Sequence, residues 1–169
     1  MKNIVLIGMP GCGKSTVARE LSRRFSMPLV ECDRLIEQQT GLSLARFQQT
    51  YGHDAFRTME NRILASIDCQ NSIVSTGGSC IYGEDAMQHF RSSGTIVYLH
   101  ASLETIAHRL RDMNARGITR QKDQTLDDLY HERVPLYRKW ADILVYTDGM
   151  SLFEVVRDTE RQLRKRGKR

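Results

Sequence analysis

The chain has 169 residues, 40% hydrophobic and 27% charged, which fits one globular domain with a sizeable core rather than two. No apolar run is long enough to span a bilayer. The short N-terminal apolar stretch lacks the core length and cleavage site of a signal peptide, so a cytoplasmic protein is expected. The net charge of +5 is carried by residues 157–169, which hold seven Lys/Arg and two Asp/Glu; the remainder is neutral. A basic end of this kind is either a solvated helix terminus or a nucleic-acid surface. No RNA-binding aromatic motif accompanies it, so nucleic-acid binding is not expected. The four cysteines, Cys12, Cys32, Cys69 and Cys80, form no Cys-x-x-Cys pair, which excludes the usual zinc ribbon.

In chain order, a first apolar run, Ile4–Ile7, reads as a buried strand. It leads into Gly8-Met9-Pro10-Gly11-Cys12-Gly13-Lys14-Ser15 and a helix near Ser15–Phe25. A second run, Pro28–Val30, ends at Glu31-Cys32-Asp33. Residues Asp33 to Gly52 insert further helical material before a helix near Asp54–Cys69. The third run, Ser72–Ser75, opens onto Thr76-Gly77-Gly78-Ser79, followed by a short helix near Ala86–Phe90. The run Thr95–Leu99, a helix near Leu103–Met113, the polar stretch Asn114–Gln124, a helix near Thr125–Trp140, the run Ile143–Val145 and a helix near Leu152–Lys165 complete the chain. Short apolar runs alternating with helices indicate an α/β fold, its parallel strands covered on both faces. The expected organisation is one domain over 1–169, with an acceptor-binding subregion at 33–61 and a lid loop at 112–124.

The pattern Gly-x-x-x-x-Gly-Lys-Ser after a strand and before a helix is the Walker A phosphate loop. Its backbone N–H groups and the helix N-terminus cradle phosphates. Gly11, Cys12, Gly13, Lys14, Ser15 and Thr16 are therefore expected to bind ATP, with Lys14 on the β- and γ-phosphates and Ser15 on Mg²⁺. Cys12 is a small filler or a reactive thiol. No Asn-Lys-x-Asp segment marks a GTPase. Glu31 and Asp33, at a strand end beside the loop, are placed either to hold Mg²⁺ through water or to meet a substrate hydroxyl; Asp33 could also serve only as a helix cap. Arg57 and Arg133 sit among apolar neighbours. Each either pairs with an internal acid, Asp33 or Glu60, or receives an anionic ligand. Asp127-Asp128 suits the positive end of a helix, and the five histidines show no metal spacing.

The phosphate loop, Glu31-Cys32-Asp33, Ile36-Glu37-Gln38-Gln39-Thr40-Gly41, Phe56-Arg57, Gly77-Gly78 and Arg133-Val134-Pro135-Leu136-Tyr137 together resemble the shikimate kinase family, in order and near its spacing. That resemblance implies a three-layer α/β/α P-loop fold of the nucleoside-monophosphate-kinase type, with a five-stranded parallel sheet ordered 2-3-1-4-5. It implies transfer of the γ-phosphoryl of ATP to the 3-hydroxyl of shikimate; a monomer is expected. Asp33 would meet the ring hydroxyls. Arg57 and Arg133, with backbone at Gly77, Gly78 and Ser79, would hold the carboxylate. Arg109 would lie beside the adenine, Glu31 would hold Mg²⁺ through water, and Arg116, with Arg120 second, would be the lid arginine. The sequence departs from the family pattern at Glu31 (usually Asp), at Ser79 (usually a third Gly) and in the lid, which reads Ala115-Arg116-Gly117-Ile118-Thr119-Arg120 in place of Arg-Pro-Leu-Leu. The alternatives are a gluconate-like or nucleoside-monophosphate kinase of the same fold, and a nucleotide-binding regulator without turnover.

Overall fold

The structure, a computed structural model, describes residues 2–111 and 123–167. Strand β1 (Asn3–Ile7) is buried along its whole length and lies at the centre of the sheet. Its side chains leave no face for water, which a strand tolerates only between two helical layers. It is followed by α1 (Lys14–Phe25), β2 (Leu29–Glu31), α2 (Cys32–Thr40), α3 (Leu44–Tyr51), α4 (His53–Ala65) and β3 (Ile73–Ser75). Then come α5 (Glu84–Ser93), β4 (Gly94–His100), α6 (Leu103–Arg111), α7 (Leu126–Trp140), β5 (Ile143–Tyr146) and α8 (Leu152–Arg166). The strands pair in parallel in the order β2-β3-β1-β4-β5, the order expected from the sequence.

From β1 the chain steps to one edge of the sheet, then works back across it to β5. Right-handed crossovers therefore put α1 on one face and α4 and α5 on the other, and α8 returns to the face of α1. The packing agrees: α1 lies against α8, and α4 against α5. The insertion after β2 becomes α2 and α3, and α3 buries none of its residues. Helix α4 stops at Ala65 rather than near Cys69. Asn3 explains the difference, because its amide donates to the Cys69 carbonyl and accepts from Ser72 N–H, holding that stretch as the entry to β3. Thr125 and Asp128 form a capping box on α7, which accounts for one of the acids there.

Along α8 the basic residues meet acids: Arg161 pairs with Asp158, Arg164 with Glu160, and Arg166 with Asp142. The basic end is thus partly neutralised by its own surroundings. Among the described residues no helix is long and apolar enough to cross a membrane. Arg116 and Arg120, and all of the expected lid except Asp123 and Gln124, lie outside the described residues.

Candidate active site

The carboxyl ends of β1, β2 and β3 bring three loops to one edge of the sheet, where open α/β sheets hold ligands. The first is the phosphate loop. Gly13 forms the N-cap of α1 with φ of 100°, a left-handed conformation that a side chain strains. The first turn of α1 contains no acid, so its positive end is left for an anion. Lys14 is buried, and its ammonium donates to the carbonyls of Gly8 at 2.8 Å and Met9 at 2.9 Å. Cys12 is buried beneath the loop, its Sγ 3.8 Å from the Lys14 Nζ. Ser15 and Thr16 are exposed on the first turn of α1. Arg109, from α6, donates to the Gly11 carbonyl at 3.0 Å and so lies against the loop.

The wall opposite the phosphate loop is built around Gly77 and Gly78. A Cβ on Gly77 would stand 2.8 Å from Asp33 Oδ1 and 3.4 Å from Glu60 Oε2. A Cβ on Gly78 would stand 2.8 Å from the Pro10 ring and 3.0 Å from Arg133 Nη1. Only a chain without side chains passes here. Two carboxylates on one side, and the loop proline and an arginine on the other, close onto it. The Tyr137 hydroxyl fixes the ribbon by donating to the Gly78 carbonyl at 2.6 Å. Ser79 has φ of −92°, so this position needs no glycine for its backbone. Its hydroxyl donates to Glu60 Oε1 at 2.6 Å, with both residues buried. Burial raises the Glu60 carboxyl to about 7; the Ser79 hydrogen bond opposes that rise and the Asp33 charge adds to it.

Arg133 is almost wholly buried, whereas the Arg57 side chain is 26% exposed. The two guanidiniums lie on the same aromatic ring, 3.6 Å (Arg57) and 5.4 Å (Arg133) from the centre of Tyr82. The acid beside Arg57 is neither Asp33 nor Glu60, the internal partners considered from sequence. It is Glu132, at 3.9 Å. Glu132 also accepts hydrogen bonds from the Tyr82 hydroxyl and the Gln124 amide. Glu31 stands between Arg19 at 3.5 Å and Arg34 at 3.3 Å, and lines a neighbouring cavity with Ser15 and Asp33.

A cavity of about 300 Å³ joins the two walls. Gly11, Gly13, Lys14, Ser15 and Thr16 line one side of it, and Asp33, Glu60, Gly77, Gly78, Ser79 and Arg133 the other. Arg57, Glu31, Cys12 and Arg109 stand around it without lining it. A family model described as shikimate kinase matches residues 10–164. The chain belongs to the shikimate kinase family. A shikimate kinase of Dehalococcoides mccartyi is 36% identical over 166 residues, covering 96% of this chain and 94% of that protein. One from Francisella philomiragia is 34% identical over 159 residues, covering 92% and 90%. Among solved structures, the shikimate kinase of Acinetobacter baumannii, in complex with shikimate, superposes with a TM-score of 0.88 at 26% identity, covering 98% of this chain and 94% of that one. That of Aquifex aeolicus gives 0.78 at 30% identity, covering 98% of both. As a shikimate kinase the chain is an ATP-dependent phosphotransferase.

Three residues of this shikimate kinase site carry little or no signal in the sequence. Glu60 is the most legible, since it occupies a core position of α4 among Phe56, Met59, Ile63 and Leu64. A carboxylate in an apolar stripe asks for a partner. Tyr82 and Glu132 follow no motif, and only the fold brings them to Arg57.

Proposed function

We propose that this shikimate kinase moves the γ-phosphoryl of ATP to the 3-hydroxyl of shikimate through the residues that face one another across the cavity. The observation that carries the reading is this juxtaposition: a phosphate loop on one wall, and on the other a carboxylate and a buried arginine, Asp33 and Arg133. Lys14 leaves the Gly8 and Met9 carbonyls and turns its ammonium to the β- and γ-phosphates. Asp33 holds the acceptor hydroxyl and takes its proton as the oxygen attacks phosphorus. The new bond joins that oxygen to the γ-phosphorus, the bond from the γ-phosphorus to the β–γ bridging oxygen breaks, and ADP leaves with the electron pair. Arg133 and Arg57 receive the substrate carboxylate by charge-assisted hydrogen bonds. The Arg57 Nε, buried with no acceptor among the described residues, is one donor ready for it. Arg109, against the loop, is the neighbour of the adenine.

Ser15, Glu31 and Asp33 offer hard oxygen ligands around one cavity, the donor set that Mg²⁺ prefers. Ser15 would hold the ion directly and Glu31 through water. When bound it neutralises phosphate charge. ADP release from shikimate, its methyl ester, gluconate and nucleoside monophosphates tests the assignment. Turnover is expected with shikimate and strongly reduced with the uncharged ester. Equal rates with acid and ester, or turnover of gluconate or a nucleotide instead, would overturn it.

A further inference from the structure

Arg57 and Arg133 come from different helices, α4 and α7, and carry the same charge. Something must set their spacing before any anion arrives. The structure supplies one ring for both, that of Tyr82, whose centre lies 3.6 and 5.4 Å from the two guanidinium carbons. An aromatic face attracts each cation and takes up part of their mutual repulsion. Tyr82 is itself held. It ends the short 3-10 turn Cys80–Tyr82, which follows directly from Gly77-Gly78-Ser79, and its N–H donates to the Ser79 carbonyl at 3.1 Å. Beyond it, Asn61 of α4 accepts from Ala86 N–H at 3.0 Å and donates to Asp85 at 2.9 Å, fixing the start of α5. At the far end of the ring the hydroxyl donates to Glu132. Glu132 stands one residue before Arg133 and forms the ion pair with Arg57.

We propose that Tyr82 and Glu132 are positioning residues for the carboxylate clamp: the Tyr82 ring sets the spacing of Arg57 and Arg133, and Glu132 fixes the ring by its hydroxyl. The acceptor's specificity for a carboxylate thus depends on an aromatic residue that no part of the phosphoryl chemistry uses. The inference rests on the shikimate reading above and adds what spaces the clamp.

The test compares wild type with Tyr82→Phe, Tyr82→Leu, Glu132→Ala and the double variant Tyr82→Phe/Glu132→Ala, using shikimate and its methyl ester. Tyr82→Leu removes the ring and is expected to raise KM for shikimate on the order of tenfold, with kcat and KM for ATP changed by less than about twofold. Tyr82→Phe keeps the ring but removes the hydroxyl that bonds both Glu132 and Arg133, so a rise of about threefold is expected. Tyr82→Phe and Glu132→Ala share the Tyr82–Glu132 link, while the first also removes the hydroxyl's hydrogen bond with Arg133 and the second the Arg57 ion pair, so the double variant should lose less than the sum of the two singles. None of the variants should lose further activity with the ester, which the clamp does not grip; a merely structural role would weaken acid and ester alike. Unchanged KM for shikimate in both Tyr82 variants, equal losses with acid and ester, or additive losses in the double variant would overturn the proposal. Should Tyr82→Leu fail to fold, Tyr82→Phe and the double variant decide the outcome. Wild type that does not prefer acid to ester defeats the function reading itself; wild type that prefers it, with variants that do so equally, defeats this inference alone.

Discussion

The phosphate loop and the acceptor wall face each other across one cavity, yet they hold their shapes by different means. The loop is shaped by backbone: a left-handed Gly13, a helix N-terminus, and a lysine tied to two loop carbonyls. The acceptor wall is shaped by side-chain contacts: buried Glu60 on Ser79, and part-exposed Arg57 and buried Arg133 on Tyr82. A backbone cradle depends on few side-chain identities, so it tolerates change around it and reads only phosphate. A wall of charged side chains depends on every partner, so it can select an acceptor and can also be detuned.

The largest effect should follow Lys14→Ala. Turnover is expected to fall on the order of a thousandfold, because charge stabilisation dominates this chemistry. The melting temperature should hardly move, since the side chain ties only to its own loop. Turnover within about tenfold of wild type, measured by ADP release, would take Lys14 out of the mechanism.

Next come the clamp arginines, which should separate the two walls. Arg133→Met is expected to weaken shikimate binding by about 2–5 kcal/mol, because Arg133 is buried and the anion it would meet loses its partner. Arg57→Met should have a smaller effect, as Arg57 is part-exposed and already shares its charge with Glu132. ATP binding, followed by calorimetry, should be unchanged in both. Parallel losses for ATP and shikimate would mean that the walls are one unit.

The smallest effect concerns Glu60 and is read in stability. Its carboxyl lies near 7 in the folded protein against an ordinary value of 4.5. Between those values the folded state binds more protons than the unfolded state. Stability therefore falls as pH rises through that window, and the loss levels off above it. Denaturant unfolding at about pH 5 and about pH 8 should show the fall in wild type. Glu60→Gln should flatten it. Ser79→Gly removes the hydrogen bond that holds the carboxyl down, so the window should extend upward. A wild-type profile flat across this range would show that Glu60 is ionised throughout.

The same contrast governs what the sequence alone discloses. The loop announces itself because its function needs specific residues at adjacent positions, and strand and helix periodicity supply the context. Asp33, Arg57, Gly77, Gly78 and Arg133 were legible through their resemblance to a family, and the structure places them around one cavity. The third-glycine position was read only as a departure. The φ of −92° at Ser79 and its bond to Glu60 show what the departure does locally. Tyr82 and Glu132 were silent because they act through contacts between residues 50 positions apart, which no local pattern encodes. Periodicity carries helix α4 four residues too far because the side chain that holds the stretch after it, Asn3, lies at the other end of the chain's first half.

Helix α3 buries no residue and follows the edge strand β2, which has only three residues. Only the half-buried Leu44 and Phe47 pack α3 against the core, whereas β1 is enclosed on every side. The molecule should therefore breathe unevenly. Amide protons of α3 should exchange with deuterated solvent through local opening long before those of β1, which wait for global unfolding. The acceptor's side of the enzyme would then be a separately opening unit, so that substrate enters past a corner that melts and reforms while the nucleotide cradle stays folded.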